Sequence, residues 1–195
     1  MFVDRSVLID AVWPQSDSRV KSVVRNITLV FGFALATAIC AKIKLEIGTV
    51  PITMQTFAVL LSGALLGSKR GGLSQLIYLL MGLSGIPWFS RGGGIGYILS
   101  PTFGYIVGFV FAAFLVGWLS ERGFDRRLET SILGMLLGNI VLYIPALLYL
   151  ANFIGFGRVL AVGLYPFIVG DLLKILLAGL LLPIGWKVIK PRSEI

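Results

Sequence analysis

This sequence reads as an all-α integral membrane protein of six transmembrane helices with both termini in the cytoplasm. Three observations lead there. Of 195 residues, 57% are hydrophobic and only 13% charged, about half the charge of a soluble domain. The charges cluster, leaving long uncharged runs between them. Lys and Arg also fall unevenly between alternate connections.

The elements follow in chain order. Residues 1–24 are polar, carry Asp4, Asp10 and Asp17, and lack the apolar core of a signal peptide, so they read as a cytoplasmic tail or interfacial segment. A single membrane domain is expected over 25–190, followed by a cytoplasmic tail at 191–195. The uncharged runs are 26–41, 47–68, 71–90, 92–120 and 130–157, and a sixth apolar segment, 159–186, is interrupted only by Asp171 and Lys174. A helix needs ~20 apolar residues to cross the bilayer core. The first run is short, but Lys42 and Lys44 can carry their ammonium groups to the interface and extend it. Runs this continuous exclude barrel strands. With the N-terminus inside, twelve Lys and Arg lie in cytoplasmic segments and four (Lys42, Lys44, Arg91 and Arg158) in outer ones, which sets the orientation. No internal repeat is evident.

Composition also excludes functions. There is no histidine, and Cys40 is the single cysteine. Imidazole-dependent nucleophiles and ordinary zinc sites are therefore not available within one chain, and no metal site or cofactor is expected. An intramembrane enzyme would need a carboxylate cluster or a nucleophile with its base, yet one acid lies within the spans. The run Gly92-Gly93-Gly94 is no phosphate loop, and no Walker motif occurs, so energy for uphill transport comes from an ion gradient or from partners. The net charge of +8 is mostly a topology signal, with no basic, aromatic-laced face for nucleic acid.

Asp171 and Lys174 have no topological reason to be where they are. They share a helix face at i,i+3, and each costs ~2.5–3.5 kcal/mol within a span. Three readings stand: an ion pair that neutralises itself and locks the bundle, a site for a polar ligand matching a carboxylate and an ammonium, or proton coupling through Asp171. Helix-breaking outer connections cluster near them: 42–55, with Pro51, Thr53 and Gln55, and 85–97, with Pro87, Arg91 and the glycine run. Irregular backbone at such depth is tolerated where it is protein-covered or lines a cavity. Gln75 with Tyr78, and Asn139 with Tyr143, form polar pairs on single helix faces, suited to interhelical bonding or to ligand contact. Trp88, Phe89 and Tyr97 fit an aromatic belt equally well. Small-residue pairs recur, among them Ala34/Ala38, Gly63/Gly67, Gly104/Gly108 and Gly134/Gly138. The first helix is smooth on more than one face, so it can pack internally and also present a docking surface.

The ordered motifs Val50-Pro-Ile-Thr-Met-Gln-Thr56, Leu61-Ser-Gly-Ala-Leu-Leu-Gly67, Gly82-Leu-Ser-Gly-Ile-Pro87-Trp-Phe89, Pro101-Thr-Phe-Gly104-Tyr-Ile-Val-Gly108-Phe109 and Gly170-Asp171-Leu-Leu-Lys174 resemble the BioY family over residues 25–185. These are the biotin-binding S components of energy-coupling factor (ECF) transporters. The resemblance implies an S-component-like bundle in the bacterial cytoplasmic membrane that captures biotin from outside. It also implies a transmembrane coupling protein and two cytoplasmic ATPases as partners, with biotin as transported ligand. Ala34 and Ala38 resemble the docking element for the coupling protein, and the connection carrying Pro51, Thr53 and Gln55 resembles the lid. Asp171 and Lys174 carry over as ligand contacts. Arg91 and Ser100 depart from the small residues expected in the loops. Biotin presents ureido N–H donors, a carbonyl, a thioether ring and a carboxylate. Asp171 can accept from the ureido group, Lys174 can donate to a ligand oxygen, and Arg91 can attract the carboxylate, or Lys174 can hold the carboxylate instead. Gln75, Tyr78, Asn139 and Tyr143 complete the expected contacts. The alternatives are a stand-alone proton-coupled carrier for a small carboxylate vitamin, or an S component for a related vitamin.

Overall fold

The computed structural model describes residues 6–46 and 48–189. The tail expected at 191–195, and Asp4, Arg5, Lys190 and Arg192 of the charge pattern, lie outside the described residues. Eight α-helices occur among them: α1 (Leu8–Val12), α2 (Arg19–Cys40), α3 (Gln55–Leu66), α4 (Ser68–Leu83), α5 (Phe103–Ser120), α6 (Leu128–Ile154), α7 (Phe156–Gly163) and α8 (Ile168–Ile189). A two-residue antiparallel pair, β1 (Lys44–Leu45) with β2 (Ile52–Thr53), sets Lys44 opposite Thr53 in the first connection. Among the described residues, this scrap of sheet and an isolated bridge between Phe89 and Gly92 are the departures from an all-helical plan.

Among the described residues, four stretches are long and apolar enough to cross a membrane: Arg19–Cys40, Phe103–Ser120, Leu128–Ile154 and, taking α7 with α8, Phe156–Ile189. The expected spans at 47–68 and 71–90 are only partly helical. Helix α3 has 12 residues and α4 has 16, short of the ~20 that a bilayer core requires. The missing turns went to the connections, where Pro51, Pro87 and the glycines at 92–94 break the regular bonding pattern. At the other extreme, α2 starts at Arg19, ahead of the expected boundary, and ends at Cys40. Lys42 and Lys44 therefore lie beyond the helix and do not lengthen it by reaching for the interface.

Packing is driven by small residues. Helix α5 lies against α3, α4 and α6, whereas α2 packs on α3 and α4, and α8 packs on α3 and α6. Helices α3 and α4 form a hairpin about Gly67, whose φ of 86° requires glycine. A Cβ at Gly63 would sit 2.3 Å from the Ala113 carbonyl oxygen, and one at Gly117 would sit 2.3 Å from the Gly67 carbonyl carbon. Both contacts are with backbone, so neither can yield cheaply, and this is what lets α5 seat against the hairpin.

The surface is inside-out relative to a soluble domain. Phe31, Leu35, Phe111, Phe114, Leu148 and Leu173 are exposed, while Thr37, Ser62, Ser74 and Gln75 are fully buried. Buried polar groups then need internal partners. Gln75 Nε2 finds them, donating to Thr37 Oγ1 (3.1 Å), Ser62 Oγ (2.9 Å) and Ser74 Oγ (3.2 Å). This ties α2, α3 and α4 together.

At the end of the bundle away from the β-pair, Asp10 of α1 bridges Arg25 of α2 and Arg70 of α4, each at 2.7 Å. Burial would raise its carboxyl, but hydrogen bonds from Arg70 and Arg25 outweigh burial and hold it below the usual carboxylate range. Glu121 accepts from Ser68 N (2.7 Å) and Ser68 Oγ (2.8 Å), satisfying the start of α4 from a neighbouring element. Trp186 of α8 donates to Asp125 Oδ2 at 2.7 Å. Asp125 is 1% exposed, and desolvation raises its carboxyl to about 6, only partly offset by the Trp186 bond.

Candidate functional site

Helix α8 begins at Ile168, close to Pro166, so Asp171 falls in its first turn and Lys174 one turn on. The i,i+3 spacing makes them neighbours, and both point inward, 3% and 8% exposed. Lys174 Nζ donates to Asp171 Oδ1 (3.1 Å), to Thr56 Oγ1 (3.0 Å) and to the Thr53 carbonyl (2.7 Å). Thr56 Oγ1 in turn donates to Asp171 Oδ1 at 3.2 Å. The other carboxylate oxygen accepts from Tyr143 OH (2.6 Å) and from Asn139 Nδ2 (3.3 Å). A buried carboxylate is tolerable with one cation and three neutral donors around it. Three elements converge on it: α3, α6 and α8.

These groups line a cavity whose other walls come from Val50 and Pro51 in the first connection, from Ser90 and Tyr97 in the connection after α4, from Tyr105 and Phe109 of α5, and from Phe167. Its volume is about 40 Å³, against ~300–1,000 Å³ for small-molecule sites. The first connection contributes Val50, Pro51 and Thr53 to its wall. Aromatic walls with one carboxylate, one ammonium and several hydroxyls suit a ligand with an apolar body and a few polar groups at fixed positions. Among the described residues no group of His, Cys, Asp and Glu could hold a metal ion.

Asp171, Lys174, Tyr143, Pro51, Thr53 and Gln55 line the cavity, with Asn139 behind Asp171. Tyr78 stands one step back, accepting from Gln55 Nε2 at 2.7 Å. Two expected contacts do not line the cavity. Gln75 Nε2 is engaged by the interhelical bonds described above, and its Oε1 has no hydrogen-bond partner among the described residues. Arg91 is exposed and donates to the carbonyls of Thr49 (2.9 Å) and Gly48 (3.3 Å). Phe89 and Tyr97 are buried, 4.5 Å apart between ring centroids, and form no belt. Thr56, Tyr105 and Phe167 are lining residues that sequence reasoning missed. Thr56 ends a motif singled out for its Pro and Gln, and it is the second residue of α3, next to Gln55.

The docking expectation needs correcting too. Ala34 and Ala38 are 0% and 4% exposed, packed inward with the core. The free face of α2 runs through Phe31, Gly32, Leu35 and Ile39, with Ala36 half-buried at its edge.

A family model described as the BioY family matches residues 14–191. A probable biotin transporter BioY of Pyrococcus horikoshii is 44% identical over 151 residues, covering 77% of this chain and 89% of the relative. The biotin transporter BioY of Rhizobium etli is 38% identical over 169 residues, covering 80% and 90%. A crystal structure described as the S-component for biotin from an ECF-type ABC transporter superposes with a TM-score of 0.76 at 23% identity, covering 86% of this chain and 93% of that one. At that identity the likeness is one of fold.

Proposed function

The chain belongs to the BioY family, and from that membership we infer that it takes up biotin as the substrate-binding S component of an ECF transporter. It is a multi-pass membrane protein that binds its ligand and does not transform it. The observation that carries the ligand assignment is the buried pair Asp171 and Lys174 on the wall of an aromatic-lined cavity.

In this reading Asp171 accepts from the ureido N–H groups and Lys174 donates to a ligand oxygen. Tyr143, Asn139 and Thr56 hold the carboxylate in position, and Tyr97, Tyr105, Phe109 and Phe167 enclose the ring. The connection bearing Pro51 and Thr53 is the lid, and biotin entry breaks the Lys174–Thr53 bond that now draws it down. Binding of labelled biotin to the purified chain tests the assignment. Asp171→Asn and Lys174→Ala each lower affinity at least about a hundredfold, because each leaves the other charge buried and unpaired. Undiminished binding in both variants removes the site.

The finer architecture belongs to the same proposal: six membrane crossings, both termini cytoplasmic, and the lid facing outward in a bacterial cytoplasmic membrane. The excess of Lys and Arg on the terminal side supports that orientation. Energy is supplied by two cytoplasmic ATPases through a transmembrane coupling protein. The coupling protein docks on the free face of α2, at Gly32 and Ala36, in place of the buried Ala34 and Ala38. Small residues there allow close helix approach.

A further inference from the structure

Three cations join the two outer connections to each other. Lys42 Nζ donates to the carbonyls of Pro87 (2.6 Å) and Phe89 (2.8 Å), and Lys44 Nζ donates to the Ser90 carbonyl (2.9 Å). Arg91 reaches the opposite way, onto the carbonyls of Thr49 and Gly48. All five acceptors are main-chain oxygens on irregular backbone, outside any helical ladder, and the Phe89 carbonyl also accepts from Gly92 N at 3.3 Å. Charge-assisted bonds of this kind are the stronger ones. The contacts are reciprocal: cations of the first connection hold the backbone of the second, and a cation of the second holds the backbone of the first.

The second connection is itself fixed to the bundle. Gly94 N donates to the Gly82 carbonyl at 2.7 Å. Phe89 is 0% exposed and lies so close to Gly82 that a Cβ there would meet its ring at 2.2 Å. Among its described residues the first connection is held to the bundle by Val50, 4% exposed in the core, by Ile52 packed against that core, and by the Lys174–Thr53 bond; the rest of its polar hold is on this second connection.

We propose that Lys42, Lys44 and Arg91 are positioning residues that clasp the lid to the connection after α4 and thereby set how long a bound ligand is retained. Arg91 acts on the lid backbone, not on the ligand carboxylate. The proposal deepens the biotin reading and rests on it for the identity of the ligand, whereas the clasp itself is testable without ligand.

The experiment compares the wild-type chain with Arg91→Ala, Arg91→Lys and the Lys42→Ala/Lys44→Ala double variant. Amide hydrogen exchange across 48–53 is measured first, in ligand-free protein. Dissociation rates of biotin and of its neutral carboxamide follow. Faster exchange is expected in Arg91→Ala and in the double variant. Dissociation should be about tenfold faster, by the same factor for both ligands, since the lost bonds touch neither. Arg91→Lys should restore part of the effect, because one ammonium cannot repeat the guanidinium fork. Unchanged exchange in both disrupted variants overturns the clasp. So does faster loss of biotin from Arg91→Ala with the carboxamide unaffected, which puts Arg91 on the ligand. Faster exchange in both disrupted variants, with no biotin bound by the wild-type chain, supports the clasp and sinks the biotin reading instead.

Discussion

Asp171 and Asp125 are two buried carboxylates in contrasting surroundings. Asp171 has an ammonium and three neutral donors around it. Asp125 keeps Trp186 on one oxygen, while its Oδ1 has no hydrogen-bond partner among the described residues. Its carboxyl is raised from 3.8 to about 6 by burial, so between those pH values the folded chain holds a proton that the unfolded chain has released. Stability therefore falls as pH rises from about 4 to about 6 and is level above that. Asp125→Asn removes the ionisation cost and keeps an acceptor for Trp186. Thermal unfolding in detergent should show that slope flattened, with a gain on the order of 3 kcal/mol at pH 7. An unaltered pH profile would show that Asp125 is not the titrating group. Charge made Asp171 and Lys174 legible in the sequence, because an ion within a span stands out against apolar neighbours. Gln75 and Thr56 were not separable in the same way. Both are ordinary polar residues, and only the third dimension shows that Gln75 Nε2 bonds Thr37, Ser62 and Ser74 while Thr56 faces Asp171.

At the level of elements, uncharged runs located every long helix but misjudged where helix gives way to connection. Hydropathy counts Val50, Pro51 or Phe89 as membrane residues whether or not their backbone is helical. The split of the last segment into α7 and α8 was similarly invisible, since Gly163, Tyr165 and Pro166 interrupt the helix without interrupting the apolar run. The small-residue pairs were read as packing devices, and Gly63 with Gly67 serves the α3–α4–α5 junction in that way. Gly117→Ala places a Cβ against the backbone of Gly67 and Ser68 and should lower stability by about 1–3 kcal/mol. Gly32→Ala meets nothing within 4 Å and should be neutral or slightly stabilising. Thermal unfolding of the two variants side by side checks the contrast; equal effects would contradict the close seating of α5.

Across the whole molecule, the two ends of the bundle are built differently. One end is tied by carboxylates: Asp10 to Arg25 and Arg70, Glu121 to Ser68, and Asp125 to Trp186. The other is tied chiefly by cations on backbone carbonyls. Helix α2 is peripheral, touching α3 and α4, and its outer face is free for a partner. Ala36→Trp should therefore abolish co-purification with the coupling protein while biotin binding by the isolated chain persists. Ala38→Trp should instead disturb the isolated chain, because that position is 4% exposed. Retained assembly in Ala36→Trp would move the docking surface elsewhere. The hairpin about Gly67 bears on how such a chain is made. At 1.5 Å per residue, α3 spans ~18 Å and α4 ~24 Å, against ~30 Å of hydrocarbon. Neither helix alone spans that core. Their close seating on α5 at Gly63 and Gly117 means that the hairpin reaches its final packing only once the following helix has been synthesised.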